Sequence, residues 1–334
     1  MAPQDTEYLN DSYPDIPPLT AEASISEGRE FILPVQPDRP FTIRGQLWPA
    51  AENEEGIYRG RVVVLPGFTE FCEKYTPLLR YLTQAGYECL IIDWPGQGLS
   101  GHLGVHPLIA HIDDFSQFHS SIQALVAEAG FTGQPFSVIG HSMGGHLALH
   151  CQTLFPYELE KIILLAPMIV PKAPPLWWVL LASRMLIWAG MSHHAIPMQR
   201  PVDLQFARKF RIDNPLTTDP DGFDWQYRIF EKKPHLRRSL PSVGWVNAAF
   251  RSCIQTTLNP DWMREITVPV TALLAGDERI VNPQKAVEML SYVSQLKQQI
   301  FANARHELLG EIEPVRRRVF HMILDELKSE SRRY

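Results

Sequence analysis

The 334-residue sequence predicts a doubly wound α/β fold: a mostly parallel sheet, helices on both faces, and one helical insertion. Three observations predict it. Short runs of Val, Ile and Leu are apolar almost without a break, as strands covered on both faces must be. Helical patterns alternate with them, which sets neighbouring strands parallel. The alternation lapses after residue 167 and resumes at 268, so the intervening stretch reads as an insertion between two strands of one sheet.

Taken in order, the first twenty-five or so residues show no evident fold. EFILPVQPDRPFTIRGQLWPA (30–50) reads as two strands around a Pro-Asp turn, an antiparallel edge. RVVVLPGF (61–68) is the first strong strand, and KYTPLLRYLTQAG (74–86) is a helix closed by Gly86. ECLIID (88–93) is a strand and DDFSQFHSSIQALVAEAG (113–130) an amphipathic helix. FSVIGHS (136–142) runs into the helix MGGHLALHCQTLF (143–155), and KIILLAP (161–167) is the next strand. Past the insertion come the strand VPVTALLAG (268–276), the helix PQKAVEMLSYV (283–293), the strand QQIFANA (298–304) and the helix PVRRRVFHMILDEL (314–327). The organisation expected is an N-terminal extension (1–27), a core from 28–167 and 256–330, and a cap insertion over 168–255.

Composition excludes several classes. The chain is 45% hydrophobic with a net charge of −6, which leaves no electrostatic footprint for nucleic acid. Its four cysteines are scattered without CxxC spacing, so no zinc site or disulfide framework is expected, and the thiols read as reduced. Cys89 lies in an apolar strand, where it belongs to the core. The N-terminus has no apolar run of a secretory signal, so the expectation is cytoplasmic. PPLWWVLLASRMLIWAGM (174–191) is apolar but falls short of the roughly 20 residues of a span. Arg184 near its centre would cost about 2.5–3.5 kcal/mol in a bilayer, so a buried or interfacial helix is expected.

The chemistry is carried by Gly140-His141-Ser142-Met143-Gly144, a GxSxG between a strand and a helix. A turn that tight requires flanking residues without bulk, and it exposes the serine hydroxyl at the C-terminal edge of the sheet. The helix behind adds a partial positive charge. A serine needs a base, and in this arrangement chain order runs serine, acid, histidine. His306 lies just beyond the final strand; His321 sits on the last helix, and His193, His194 and His235 lie in the insertion. The strand ending at Gly276 delivers two adjacent carboxylates, Asp277 and Glu278, of which one serves His306.

DWPGQGLSG, GHSMGG, LLAPM, GDERIV, ARHELLGE and, in the insertion, NPLTTDP together resemble one family. Over about residues 28–327 the chain resembles an α/β-hydrolase of the monoacylglycerol lipase and lysophospholipase L2 type, the serine aminopeptidase S33 or "hydrolase 4" group. In that family the triad acid directly precedes an Arg and two apolar residues. Here Arg279-Ile280-Val281 follow Glu278, so the resemblance implies Glu278, with Asp277 as the alternative and a loop carboxylate paired with Arg279 or Arg305 otherwise. It implies an oxyanion hole from the amides of Phe68 and Met143, with Glu70 ordering the loop, and no metal or cofactor. DWPGQGLSG is a structural turn near the rim, since no helix follows it as nucleotide binding would need.

In the insertion, Trp177, Trp178, Leu180, Leu181, Met185, Leu186 and Trp188 either line an acyl tunnel, rest on a membrane surface or pack on the core. The arginines at 200, 208, 211, 237 and 238 either contact a phosphate headgroup or form a solvated face. The function expected is hydrolysis of a single-chain lipid ester by an acyl-enzyme on Ser142, a lysophospholipid first, with a monoacylglycerol lipase or short-chain carboxylesterase as alternatives. A catalytically dead scaffold is the non-enzyme alternative, and an aminopeptidase lacks an evident acid for a free amine.

Overall fold

The computed structural model describes residues 13–20, 27–35, 41–51 and 57–329. β1 (Arg29–Val35) and β2 (Phe41–Trp48) pair antiparallel with Val35 opposite Phe41. The turn expected between them lies outside the described residues. There follow β3 (Gly60–Leu65), α1 (Thr76–Gln84), β4 (Tyr87–Asp93), a short β5 (Ile109–Ala110), α2 (Ser116–Glu128), β6 (Phe136–His141), α3 (Met143–Leu154) and β7 (Leu159–Leu165). The insertion carries α4 (Leu176–Trp188), α5 (Leu204–Ala207), α6 (Pro220–Lys232), β8 (Leu240–Pro241) and α7 (Val243–Gln255). α8 (Pro260–Arg264), β9 (Val270–Ala275), α9 (Pro283–Leu290), β10 (Leu296–Phe301) and α10 (Glu313–Lys328) complete the chain.

The main sheet runs β1-β2-β4-β3-β6-β7-β9-β10. β2 meets β4 antiparallel, and every pair from β4 to β10 is parallel. Parallel strands need covered faces, and two apolar clusters cover them. One holds Phe118, Ile122 and Leu125 of α2, Leu147 and Cys151 of α3, and Ala286 and Leu290 of α9. The other holds Leu78, Leu79 and Leu82 of α1 with Val319, Phe320, Ile323 and Leu324 of α10. Each such Val, Leu, Ile or Phe side chain contributes roughly 1.5–3 kcal/mol on burial. β9, one strand in from the edge, is buried throughout, whereas the edge strand β10 exposes Lys297, Gln298 and Ile300. All four thiols are free and buried, and burial pushes the Cys253 thiol up to about 12.

The insertion is packed onto the core, not hung from it. Trp245, Ala248, Ala249, Phe250 and Cys253 of α7 enter the main cluster. Asn247 Nδ2 donates to Ser183 Oγ at 2.9 Å, joining α7 to α4. The N-terminal segment has structure that its sequence did not announce: the Tyr13 hydroxyl donates to Asp325 at 2.8 Å, and its ring stacks on His321 at 3.9 Å.

Between α2 and α3 lies a group of imidazoles, of which His146 and His150 are buried and His119 is half-buried. His146 Nε2 is 3.3 Å from His150 Nε2 and 2.8 Å from Ser252 Oγ, and the His119 and His150 rings are 4.5 Å apart. Burial pushes His146 down to about 3 and holds His150 well below the usual value. Both are therefore neutral when folded and take up protons near pH 6.5 only when unfolded. Stability from this pair is complete above pH 6.5 and declines below it. Between pH 6.5 and 5.5 the two should cost about 2 kcal/mol. Urea midpoints at the two pH values check this, and His150→Gln should flatten the decline.

Candidate active site

Ser142 is the single residue between β6 and α3, and its backbone sits at φ 51°, ψ −116°. A side chain held there costs on the order of 1–3 kcal/mol, which the surroundings must supply. The Ser142 N–H donates to Leu165 O at 2.9 Å, and its carbonyl accepts from the Gly145, His146 and Met168 amides. The flanking glycines are required by contact. A Cβ on Gly144 would stand 1.9 Å from Leu65 O, and one on Gly140 would stand 2.3 Å from Gly144 O. β3, β6 and α3 thus meet backbone to backbone, and the serine is the residue turned outward.

His306 follows β10 and is buried. Its Nδ1 lies 2.8 Å from Glu278 Oε2. A carboxylate accepts, so Nδ1 carries the proton and Nε2 keeps its lone pair. Glu278 Oε1 accepts from the Ile280 and Val281 amides at 2.8 and 3.2 Å. Burial alone would raise the Glu278 carboxyl, but His306 and these two amides hold it below its usual value. The neighbouring Asp277 faces elsewhere, accepting from Arg279 at 2.6 and 2.9 Å and from Arg305 at 3.2 Å. Consecutive side chains at a strand end diverge, so only one of the two acids meets the imidazole.

The loop after β3 is ordered by a buried ionic network that reading the sequence left without partners. Glu70 Oε2 accepts from the Gly67 amide, the Tyr75 hydroxyl and His141 Nδ1, the last at 3.0 Å. Lys74 Nζ bridges Glu70 and Glu307 at 2.6 and 2.7 Å. Burial disfavours a charged His141, yet the Glu70 carboxylate outweighs it and the imidazole is pushed up to about 9. As an imidazolium, His141 also donates from Nε2 to the His306 carbonyl at 3.1 Å. One side chain therefore joins the loop, the elbow and the histidine. The only signal in the sequence was Glu70 three residues after Gly67 in LPGFTEF. Among the described residues the Phe68 and Met143 amides carry no hydrogen bond.

DWPGQGLSG is a turn that supports this loop. Buried Asp93 accepts from the Cys72 and Leu99 amides and from Arg44, and the Gln97 side chain accepts from the Thr69 amide. NPLTTDP ties the insertion to the histidine loop: Glu307 N donates to Leu216 O at 2.8 Å and Thr217 Oγ1 to Gly310 O at 2.8 Å.

Ser142 and His306 line one cavity of about 410 Å³ together with Gly67 and Phe68. Its apolar wall comes from Val202, Ala207, Leu216, Tyr227, Phe230 and Ile280. Trp177, Trp178 and Met185, the residues offered for an acyl tunnel, are 61%, 54% and 64% exposed and do not line this cavity. α4 is apolar on every side, so only one face is covered, with Val179 and Leu180 packed against the core. Of the arginines at 200, 208, 211, 237 and 238, Arg208 pairs with Asp224 and Glu231, and Arg211 with Asp213.

A doubly wound sheet with a strained serine at a strand-to-helix elbow is an α/β-hydrolase, and the class is that of the serine hydrolases. More particularly, the chain belongs to the serine aminopeptidase S33 family, whose model matches residues 56–313. It is similar to lysophospholipase L2 of Escherichia coli strain K12, 27% identical over 280 residues that cover 79% of each chain. It is similar to the monoglyceride lipase of Saccharomyces cerevisiae, 28% identical over 126 residues covering 37% of this chain and 40% of that one. A crystal structure of a soluble variant of that yeast lipase with a substrate analog shares the fold, with a TM-score of 0.69 at 19% identity over 91% of this chain and 96% of that one.

Proposed function

We propose that this protein hydrolyses the acyl ester of a single-chain lipid, a lysophospholipid first, with residues 168–255 capping the site. The observation that carries the reading is the one cavity in which Ser142 and the Glu278-oriented His306 meet an apolar wall. The likeness to lysophospholipase L2 supports the substrate class. Ser142 Oγ attacks the ester carbonyl while His306 Nε2 takes its proton. The oxyanion sits on the Phe68 and Met143 amides, each such donor being worth roughly 2.7–4 kcal/mol in the transition state. His306 returns the proton to the leaving glycerol oxygen. It then deprotonates a water, which attacks the acyl-enzyme, releases the fatty acid and restores Ser142.

Monoacylglycerol hydrolysis is the second reading, favoured by the likeness to the yeast enzyme. An aminopeptidase would need a carboxylate free to hold an amine, and the cavity's Glu70 and Glu307 are already matched by Lys74 and His141. Fatty-acid release from lysophosphatidylcholine and monoacylglycerol of one chain length tests the choice, with Ser142→Ala as blank. An inert Ser142 toward a fluorophosphonate would sink catalysis altogether. Cleavage of short-chain esters alone would sink the lipid substrate.

We further propose that the cap rests on a lipid surface. Trp177, Trp178, Leu181, Met185 and Trp188 make α4 an exposed apolar face, with Trp188 91% exposed. Among the described residues no helix is long and apolar enough to cross a membrane, so contact would be interfacial. Replacing Trp177 and Trp188 together by Ser should weaken co-sedimentation with vesicles about tenfold. Undiminished co-sedimentation would refute the contact.

A further inference from the structure

The charged groups of the cavity pair off except for two guanidiniums. Lys74 and His141 are matched by Glu70 and Glu307. Arg237 and Arg238 also line the cavity and are 9% and 7% exposed. Among the described residues neither meets a carboxylate, and a cation taken out of water without a counter-charge is costly.

Arg238 has a structural use for its whole fork. Its nitrogens donate to the carbonyls of Gly96, Gly98, Gly101, His235 and Arg237, clasping the DWPGQGLSG turn. Arg237 does not. Only its Nη2 is engaged, by Val202 O at 2.7 Å and Asp203 O at 3.4 Å. Among the described residues Nε and Nη1 make no hydrogen bond, which leaves three N–H donors of a permanent cation to the cavity. Tyr227, on the same wall, has its hydroxyl within the field of this guanidinium. The chain as a whole carries −6, so bulk attraction for anions does not explain a cation here.

We infer that Arg237 is an anion subsite in the catalytic cavity, and that its ligand is the phosphodiester of a lysophospholipid headgroup. The inference rests on the reading of Ser142 as the nucleophile of a lipid ester hydrolase. In such a substrate the glycerol unit joins the scissile acyl ester to a monoanionic phosphate, so one molecule fills the apolar wall, reaches Ser142 and supplies the missing counter-charge. A charge-assisted hydrogen bond is stronger than a neutral one, so the site discriminates against a neutral glyceride. Arg237 would act on specificity and binding, not on the bond-breaking step.

Two measurements test this separately. In the first, sn-glycero-3-phosphocholine, a phosphodiester without an acyl chain, competes with p-nitrophenyl butyrate. Competitive inhibition of the wild type is expected, with Ki raised at least tenfold in Arg237→Ala and restored in large part in Arg237→Lys. An uninhibited wild type, or equal inhibition of both, overturns the subsite. In the second, the ratio of kcat/KM for lysophosphatidylcholine to that for the monoacylglycerol of equal chain length should fall at least tenfold in Arg237→Ala. A ratio taken within one preparation is insensitive to the fraction that folds, and an unchanged ratio overturns the inference. Inhibition that depends on Arg237, with no Ser142-dependent release from either lipid, would overturn the proposed reaction and leave an anion site standing.

Discussion

Glu278→Gln is expected to lower kcat about 10⁴-fold, while Asp277→Asn changes it only a few-fold. The two acids are adjacent, so the contrast depends on orientation alone. Glu278 accepts from His306 Nδ1 at 2.8 Å, which leaves the Nε2 lone pair for the serine proton. A glutamine in its place can present its amide to Nδ1 and stabilise the opposite tautomer, whose Nε2 already carries a proton. The imidazolium formed during reaction also loses its counter-charge. Asp277 is 39% exposed at its side chain and is engaged by Arg279 and Arg305, so its loss relaxes a surface pair. Turnover of a short-chain ester, with circular dichroism to confirm folding, decides the matter. A large loss in Asp277→Asn with a small one in Glu278→Gln would reverse the assignment.

Glu70→Gln should be nearly as damaging, by another route. Glu70 holds Gly67, Tyr75, His141 and Lys74 at once. Removing its charge leaves a buried imidazolium and a buried ammonium to share Glu307, and breaking a buried pair in this way costs about 3–5 kcal/mol. The loop after β3 loses its anchor, so the Phe68 amide drifts and kcat falls about 10²–10³-fold. A pH series supplies the readout that general destabilisation would not. His141 titrates at about 9 when folded, above the value near 6.5 of an unfolded histidine. Its contribution is thus complete below pH 6.5 and lost as pH rises through 9, on the order of 3 kcal/mol in all. The wild type should lose that stability across this window, and Glu70→Gln should lose much less. Parallel curves for both proteins would remove His141 from the account.

Much of this was legible in the chain. Apolar runs and helical patterns marked the strands and helices along the chain, because a strand buried on both faces cannot hide its composition. The GxSxG motif marked the elbow because only glycine tolerates backbone at 1.9–2.3 Å from a Cβ position. A histidine beyond the last strand and acids beyond the one before it followed from topology. The edge strands were readable too, although the turn between them lies outside the described residues.

Other features had no periodic signature. Trp177, Trp178 and Met185 looked suited to an acyl tunnel, yet a helix apolar on all sides does not say which face it covers, and packing against α7 turned them outward. Five arginines were equivalent as letters. Folding gave three of them, Arg208, Arg211 and Arg238, partners of their own and left Arg237 in the cavity with donors to spare. Glu70 and Lys74 stand four residues apart, but the network joins them to His141 and Glu307, far away in the chain, and no spacing rule makes those links. By itself the sequence determined the sheet, the elbow that carries Ser142 and the placement of Glu278 and His306 beyond the last two strands, since these depend on local sterics and on burial that composition reveals. The tertiary structure alone decided which charges meet. Ionic pairing depends on distance and desolvation across the assembled core, and neither quantity exists until distant segments are brought together.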